Sequence, residues 1–423
     1  MPHFDFSDER LDNGLRLILS QDHAAPVVAV NLWYNVGSRH EPEGKTGFAH
    51  LFEHLMFEGS RNVAKGEHFA LVEAAGGTLN ATTWCDRTNY YDTAPSNHLE
   101  LLLWLEADRM GGLLDGISQE TLDNQRDVVK NERRQRYDNA PYGTWSERMH
   151  WAVFPPGHPY HHPTIGSMAD LDAASLDDVR AFFRRYYAPN NAVLTIVGDF
   201  DKAEAWAWVE KYFGGIPRND DIAPPPSGAI EPTIGAEVRE VVPDKVQLEK
   251  VFVGYRAPAY GTREFDALTM AMVVAGHGRG SRLHRTLVVE RQLAKDVDAN
   301  PWPFVGGAAI AVGTATARTG VPVADVEAAY HEVMQGIAAG ITDEELARAR
   351  GLVERYELMQ VQTVADRADA FSEYATLFDD PGLVNTRLDA LLSVEAAEVA
   401  KAAASVFGPD NRVVLTFVPE EAA

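Results

Sequence analysis

Two histidines and a glutamate occur in the order H-x-x-E-H, at His50, Glu53 and His54. If residues 46–59 form a helix, the rotation of about 100° per residue places these three side chains on one face. Two imidazoles one turn apart can hold one metal ion, and the carboxylate between them can reach a metal-bound water. The pattern is the reversed form of the zinc-peptidase helix signature. The alternative is a solvated polar face that holds two histidines by chance.

The opposite face of the same segment predicts how this helix is held in place. Apolar residues recur there at helical spacing, at Phe48, Leu51, Phe52, Leu55 and Met56. Thr46 is the predicted N-cap and Gly59 the predicted stop. The sequence therefore predicts a helix that packs on a core through one face and presents the histidines on the other.

The segments around this helix predict a mixed α+β fold. The strands are expected at residues 11–21, 27–36, 78–84, 88–94 and 192–197, where β-branched and aromatic residues concentrate. Further helices are expected at residues 66–75, 98–110, 118–137 and 175–187. Ser118 is the predicted N-cap of the helix over 118–137.

A third metal ligand is available in the helix over 118–137. Glu132 shares one side of that helix with Leu122, Gln125 and Val129. A carboxylate among apolar neighbours is costly to bury unless it is paired or bound to a metal. The alternative partner is an arginine within residues 133–136, and the residues alone leave both readings open.

Composition excludes several classes of function. With 423 residues, 45% of them hydrophobic and 24% charged, the chain is long enough for two or more domains with ample cores. The net charge of −24 argues against a nucleic-acid partner, because phosphate binding uses clustered Lys and Arg. Cys85 is the only cysteine, which excludes intrachain disulfides and a thiolate-rich zinc site, and we expect it to be inert.

Hydropathy along the chain bears on membranes and on the compartment. No run of 18 apolar residues is present, so no transmembrane helix is expected. The first residues, MPHFDFSDERLDNG, have neither a basic n-region nor an apolar h-region. A cytoplasmic location is therefore expected, and a periplasmic one would require a leader that has been removed.

An internal repeat predicts a duplicated domain. YAPNN at 187–191, before VLTIVGD, is echoed by FGPDN at 407–411, before VLTFVPE. Between the halves, residues 217–236 contain several prolines and are predicted to form a linker. We therefore predict a metal-binding domain over 1–216 and a homologous domain over 237–423. The second domain has no H-x-x-E-H, so only the first would carry metal.

Other stretches extend the pattern over nearly the whole chain. They are DNGLRLILSQD, GGTLNATTWCDRTNYY, FPPGHPYHHPTIGS and RRYYAPNNAVLTIVGDF, together with the two helices that carry the candidate ligands. With these the chain resembles the pitrilysin/insulinase/mitochondrial-processing-peptidase family (M16) of zinc metallopeptidases, in particular its short two-domain members. The resemblance implies two homologous α/β-sandwich domains of the processing-peptidase type, joined by a linker and arranged as a clamshell.

The resemblance also implies the roles of the site residues. His50, His54 and Glu132 would bind one Zn²⁺ per chain, since Glu132 stands where the family has its distal ligand. Glu53 would be the general base. Asn80 and Ala81 match the family's substrate-binding Asn-Ala pair, on a strand that would offer its free edge to an extended peptide. The alternative for that strand is an interior position in the sheet.

Two departures from the family pattern carry further predictions. Gln125 replaces a glutamate that usually supports a ligand histidine, so somewhat weaker zinc binding is expected. The Arg and Tyr that fix substrate in active members align with Val288 and Lys295. We therefore predict an endopeptidase subunit that acts on peptides and unfolded segments with a homologous partner, a heterodimer rather than a homodimer. The alternative is a weakly active or non-catalytic subunit that binds peptides or assists assembly.

Overall fold

The computed structural model describes residues 2–420, and the chain divides into two compact units whose segments alternate. The first unit contains Met1–Glu132, Thr164–Pro226 and Glu357–Arg387, and the second contains Arg133–Pro163, Ser227–Tyr356 and Leu388–Ala423. Each half of the chain therefore lends one segment to the unit formed mainly by the other half. The domain ranges predicted from the repeat, 1–216 and 237–423 around a linker, do not include this exchange.

The first unit is built on a six-stranded sheet with the order β1-β2-β6-β3-β5-β4. Its strands are β1 (Ser7–Arg10), β2 (Arg16–Gln21), β3 (Val27–Tyr34), β4 (Thr78–Thr83), β5 (Thr88–Pro95) and β6 (Ala192–Gly198). β2 and β6 are parallel, and the other neighbours are antiparallel. β6 is buried along its whole length, as its continuous apolar run predicts, and β4 forms an outer edge.

The second unit repeats this arrangement in a five-stranded sheet with the order β7-β11-β8-β10-β9. Its strands are β7 (Val238–Asp244), β8 (Lys250–Pro258), β9 (Ala294–Trp302), β10 (Ala308–Ala317) and β11 (Arg412–Pro419). β7 is parallel to β11 as β2 is to β6, and the other pairs are antiparallel. Strand order and direction therefore match in the two sheets, which confirms the predicted α+β fold of two similar units.

The two copies of the sequence repeat fold alike. Pro189–Asn191 and Pro409–Asn411 each form one 3-10 turn before a central strand. In both copies the asparagine side chain donates to two backbone carbonyls over 2.8–3.3 Å. The acceptors are Tyr186 and Asn35 for Asn191, and Val406 and Arg256 for Asn411. Each asparagine thus ties the end of a helix to a neighbouring strand, which explains why the motif is repeated.

Helices cover the sheets. They are α1 (Phe48–Leu55), α2 (Glu67–Ala74), α3 (Leu99–Gly116), α4 (Gln119–Arg133), α5 (Trp145–Val153), α6 (Met168–Ala173), α7 (Leu176–Tyr186), α8 (Lys202–Phe213), α9 (Arg263–Gly276), α10 (Val323–Ala338), α11 (Asp343–Met359), α12 (Val364–Phe378), α13 (Leu383–Leu392) and α14 (Ala396–Val406). α12 packs on β3 and β6, and α5 packs on β8 and β11. Among residues 2–420 no helix is long and apolar enough to cross a membrane.

One aspartate anchors the exchanged helix α12 to the first sheet. Asp369 Oδ1 accepts hydrogen bonds from Asn31 Nδ2 at 3.0 Å and from Trp33 Nε1 and Asn89 Nδ2 at 2.9 Å. Buried polar groups must be paired, so these three donors select the position of Asp369. Together with the buried apolar cluster that Phe371 forms with residues of β2, β3 and β6, this contact holds a helix from the second half of the sequence in the first unit.

Candidate metal centre

α1 places the H-x-x-E-H residues on a packed support. Its apolar face is fully covered, and the Phe52 ring stacks on Phe182 at 5.0 Å and on Tyr187 at 5.1 Å between ring centroids. The helix is shorter than the predicted range 46–59, because it ends at Leu55 and continues as a turn. The polar face with both histidines stays partly exposed, as the periodicity predicts.

The N terminus of α1 is capped by Glu41, and the prediction of Thr46 as its cap is wrong. Glu41 Oε2 accepts from the Gly47 N–H at 2.8 Å, and Oε1 accepts from the Ala49 N–H at 2.7 Å. The Thr46 hydroxyl instead donates to Asp170 at 2.6 Å. A carboxylate can accept from two free N–H groups at once, and its negative charge also interacts favourably with the helix dipole. A hydroxyl group provides neither the second acceptor oxygen nor the charge. Because Glu41 lies outside the helix pattern, the sequence gives no signal for this role.

Glu41→Gln is expected to lower the free energy of unfolding by about 1–2 kcal/mol, because one cap acceptor and the charge–dipole interaction are lost. Denaturant unfolding of the metal-free protein measures this loss. Glu43→Gln is the matched control, since Glu43 is exposed in the same loop. Equal losses in the two variants would contradict the capping role.

The structure brings the three predicted ligands together. His50 Nε2 lies 3.6 Å and His54 Nε2 3.4 Å from Glu132 Oε2, and one donor atom of each residue lies within 4.8 Å of the others. Tetrahedral zinc bonds of about 2.1 Å would separate two ligand atoms by about 3.4 Å. Direct hydrogen bonds would be shorter, about 2.7–2.9 Å. The separations therefore fit a cation held between the three groups.

Glu132 reaches this position because α4 packs through the predicted face. Leu122 and Val129 are fully buried, and the Glu132 side chain is 18% exposed. The Ser118 hydroxyl accepts from the Thr121 N–H at 3.2 Å, which confirms the predicted cap of the helix. Arg133, the nearest arginine in sequence, is paired with Glu147 at 2.9 Å.

Glu53 lies beside the histidines, and burial raises the pKa of its carboxyl group. The Thr83 hydroxyl and electrostatic interactions with His54 and Arg87 lower that pKa in part, and the charge of Glu132 raises it. Burial thus makes the carboxylate a stronger proton acceptor than an exposed glutamate. Thr83 belongs to β4, so Glu53 is placed next to the edge of the sheet.

β4 presents a free edge next to this group, as predicted, and the alternative of an interior strand is wrong. The Trp84 N–H bonds the Arg87 carbonyl at 2.9 Å and closes the β4–β5 hairpin. Hydrogen-bonded positions alternate along such a pair, so Ala81 directs its backbone groups away from β5. The Ala81 N–H donates to the side-chain Oδ1 of Asn80 at 2.9 Å. Asn80 thus caps an N–H that faces outward.

Gln125 does not support a ligand histidine in the way proposed from the sequence. Its Nε2 donates to Glu58 Oε1 at 2.8 Å, and Glu58 is also paired with Lys65 at 2.6 Å. A carboxylate in place of Gln125 would face Glu58 instead of donating a hydrogen bond to it. Weaker zinc binding by this chain stays a prediction. Its cause would involve the contact between Gln125 and Glu58 rather than a direct contact between Gln125 and a ligand histidine.

Two further groups of residues complete the description of the first unit. Burial raises the pKa of the Cys85 thiol to about 12, which confirms the expectation of an inert cysteine.

A second group that could hold a metal, the side chains of His68, Asp92 and Glu106, is fully buried. Sequence reasoning missed this group because its members come from three different elements with no motif between them. Among the described residues, no such group occurs in the second unit.

Fold and site together define a two-unit α+β protein with one partly exposed three-donor centre. The sequence matches two family models, described as "Insulinase (Peptidase family M16)" over residues 16–156 and "Peptidase M16 inactive domain" over residues 173–352. Zinc protease PqqE of Helicobacter pylori is 30% identical, with 94% of this chain and 89% of that protein covered. The chain therefore belongs to the M16 family of peptidases.

Other relatives agree with this assignment. An uncharacterized zinc protease of Mycobacterium leprae is 30% identical over 81% of this chain and 76% of its own. The crystal structure of a protease from Helicobacter pylori aligns with a TM-score of 0.91 at 27% identity, and covers 98% of this chain and 100% of its own. A Pseudomonas fluorescens structure titled as an M16 inactive domain has a TM-score of 0.87 at 16% identity, which supports the fold alone.

Proposed function

We propose that this protein is a zinc-dependent endopeptidase that cleaves peptides and unfolded segments. The observation that carries the proposal is the convergence of His50, His54 and Glu132, with both histidine nitrogens at a separation from Glu132 that suits tetrahedral zinc ligands. Two imidazoles and one carboxylate leave a fourth position open, which is typical of catalytic rather than structural zinc. When bound, zinc polarises the scissile carbonyl and lowers the pKa of a coordinated water.

Glu53 is the general base in this proposal. Its partly buried carboxylate accepts a proton from the attacking water and returns it to the leaving amine nitrogen. Support comes from its place between the two histidines, and from the burial that raises its pKa. Thr83 is a neighbour of the carboxylate, so the base lies beside the strand on which the peptide would be held.

The peptide would add a strand to the free edge of β4. Ala81 directs its N–H and C=O outward, and both suit pairing with an extended backbone. In the free protein the Asn80 side chain occupies that N–H. An incoming peptide carbonyl would take its place, and the released Asn80 amide could bond the peptide. This exchange explains why an asparagine precedes the small Ala81.

Ala81→Pro is expected to raise KM at least about tenfold, because proline removes the outward N–H. The β4–β5 ladder does not use this N–H, and an edge strand tolerates proline there. Zinc content should stay unchanged. Ala81→Ser keeps the N–H and is expected to have a KM close to that of the natural chain. Equal KM values for both variants would contradict pairing at Ala81.

Two arginines near the aligned positions of the substrate-fixing pair are engaged in ion pairs within the second unit. Arg282 is paired with Glu345 at 2.6 Å, and Arg291 is paired with Glu332 at 2.7 Å. The aligned positions themselves are Val288 and Lys295. We therefore place this chain as the metal-bearing subunit of a heterodimer whose homologous partner contributes an arginine and a tyrosine to substrate binding.

Metal analysis combined with a quenched-fluorescence peptide assay tests the proposal. The chain alone is expected to bind one zinc ion and to cleave slowly, and a homologous partner chain should raise the rate. Full activity without a partner would contradict the heterodimer. One zinc ion with no cleavage in either state would favour the alternative, a peptide-binding or assembly subunit, and absence of zinc binding would contradict the proposed function itself.

A further inference from the structure

A closed group of ionisable side chains lies inside the first unit, and it shares no residue with the three-donor centre. Asp92 of β5 and Glu106 and Arg109 of α3 are no more than 1% exposed, and His68 of α2 is 4% exposed. Donor atoms of His68, Asp92 and Glu106 lie within 4.8 Å of one another. Burial of charge is costly, so the balance of charges within this group decides its state.

Hydrogen bonding in this group is unequal. Arg109 Nε donates to Glu106 Oε2 at 2.9 Å, and Arg109 Nη2 bonds the other Glu106 oxygen. Both oxygens of Asp92 are buried, and neither accepts a hydrogen bond from a described residue. His68 Nε2 and Arg109 Nη1 are also buried without a partner. The two oxygens of Asp92 face the carboxylate of Glu106, and ionised carboxylates can only accept hydrogen bonds. A hydrogen bond between the two groups therefore requires that one of the acids carries a proton.

The charge count selects a proton rather than a metal ion. Two carboxylates and one guanidinium leave one uncompensated negative charge. One proton cancels that charge, whereas a divalent cation would leave a positive charge beside the buried guanidinium. Burial lowers the pKa of His68 to about 2, so its imidazole is neutral and adds no charge. Proton binding is therefore the state with the smallest desolvation cost.

We propose that the Asp92 carboxyl group is protonated at neutral pH and donates its hydrogen to Glu106, which makes the contact between β5 and α3 a pH-sensitive joint. The other titratable groups around it include Tyr34 of β3, Tyr90 of β5 and Tyr187, whose hydroxyl lies 3.5 Å from that of Tyr90. All three are buried, and burial raises the pKa of each phenol, so none of them supplies a charge. The joint supports the segment after α1, because the Arg109 guanidinium lies 5.1 Å from the Phe57 ring centroid and 4.3 Å from that of Tyr90.

Linkage gives the direction of the pH dependence. Burial, followed by the charge of Glu106, raises the pKa of Asp92 well above its unfolded value of about 4. The native state then holds a proton that the unfolded chain releases. The stabilisation from the neutral acid is complete below pH 4 and declines as the pH rises toward the folded-state pKa. Above that pKa the native state contains an unpaired buried negative charge.

Asp92→Asn tests the joint, because an amide is neutral at every pH and can donate to Glu106 in the same place. The unfolding constant of the natural chain is expected to rise about tenfold per pH unit relative to that of Asp92→Asn, between about pH 4 and the folded-state pKa. Denaturant unfolding of both full-length chains from pH 5 to 9 measures the ratio. Asp12→Asn, at an exposed position, is the control and should show no such trend. A pH-independent ratio for Asp92→Asn would overturn the proposal.

Infrared spectroscopy provides a second readout that does not depend on unfolding. The natural chain at pH 7 should show the carbonyl band of a protonated carboxylic acid, and Asp92→Asn should lack it. Identical spectra of the two chains would overturn the proposal. Metal analysis decides against the alternative occupant: both chains should hold the same number of zinc ions, and loss of an ion in Asp92→Asn would show that the group binds metal instead.

Discussion

Glu53→Gln is expected to lower kcat for peptide hydrolysis by about 10²–10⁴-fold with little change in zinc affinity. The amide keeps the size of the carboxylate but cannot accept a proton, so the contribution of the general base is lost. None of the three proposed zinc donors changes, because His50, His54 and Glu132 approach one another without using Glu53. Steady-state kinetics with a quenched peptide and zinc titration of the purified variant measure the two effects separately.

Glu73→Gln is the matched control for this substitution. Glu73 is exposed on α2, so removal of the same charge from the first unit should leave kcat and zinc affinity as in the natural chain. If Glu53→Gln retained more than about a tenth of the natural kcat, the assignment of Glu53 as the base would be refuted. A large loss of zinc from the variant would point instead to a role in holding the metal.

Glu132→Gln is expected to weaken zinc binding by more than about 100-fold. Substitution of residues that merely support a ligand already costs 10–100-fold, and here a charged donor is removed. Cleavage should fall in parallel at low zinc and recover in part at high zinc concentration. Zinc bound to the native state raises the free energy of unfolding, and this increase grows with the ratio of the zinc concentration to Kd. A larger Kd in the variant should therefore reduce the stabilisation by zinc. Thermal unfolding with and without zinc measures this loss.

This experiment separates a metal ligand from an ordinary ion-pair partner. If Glu132 only paired with a cationic side chain, Glu132→Gln would destabilise the zinc-free protein and leave the zinc Kd unchanged. Glu120→Gln on the same helix is the control, since Glu120 is exposed. A control variant that lost zinc to the same extent would show that the effect arises from the charge of α4 rather than from a ligand.

Local patterns in the sequence predicted the elements that carry the candidate centre. The 3.6-residue periodicity of α1 and α4 identified the buried apolar faces, and hence the partly exposed face with His50, Glu53 and His54. The repeat predicted a second copy of the fold, because the same turn allows Asn191 and Asn411 to donate the same kind of hydrogen bonds to backbone carbonyls. These features follow from short-range geometry, where neighbours in sequence are also neighbours in space.

Other features depend on residues that are distant in sequence, and pattern reasoning could not find them. Glu41 replaces the predicted cap Thr46 because the loop before α1 returns its carboxylate to the helix N terminus. Gln125 bonds Glu58 instead of a histidine for a similar reason. Asp369 of the exchanged helix α12 accepts from three partners that all belong to the first sheet. Neither periodicity nor spacing encodes such pairings.

The sequence by itself determined the H-x-x-E-H helix and the duplicated α+β organisation. The resemblance to the family then selected Glu132 as the candidate third donor, where the residues alone left an ion pair as the alternative. Only the tertiary structure decided that the nitrogens of His50 and His54 lie 3.6 and 3.4 Å from Glu132. The tertiary structure also decided that β4 is an edge strand and that Asp92 and Glu106 are buried together. The physical reason is that helix faces arise from local backbone geometry. Ligand separations, sheet edges and buried charges arise from how separate elements pack, where the cost of an unpaired polar group selects the partners.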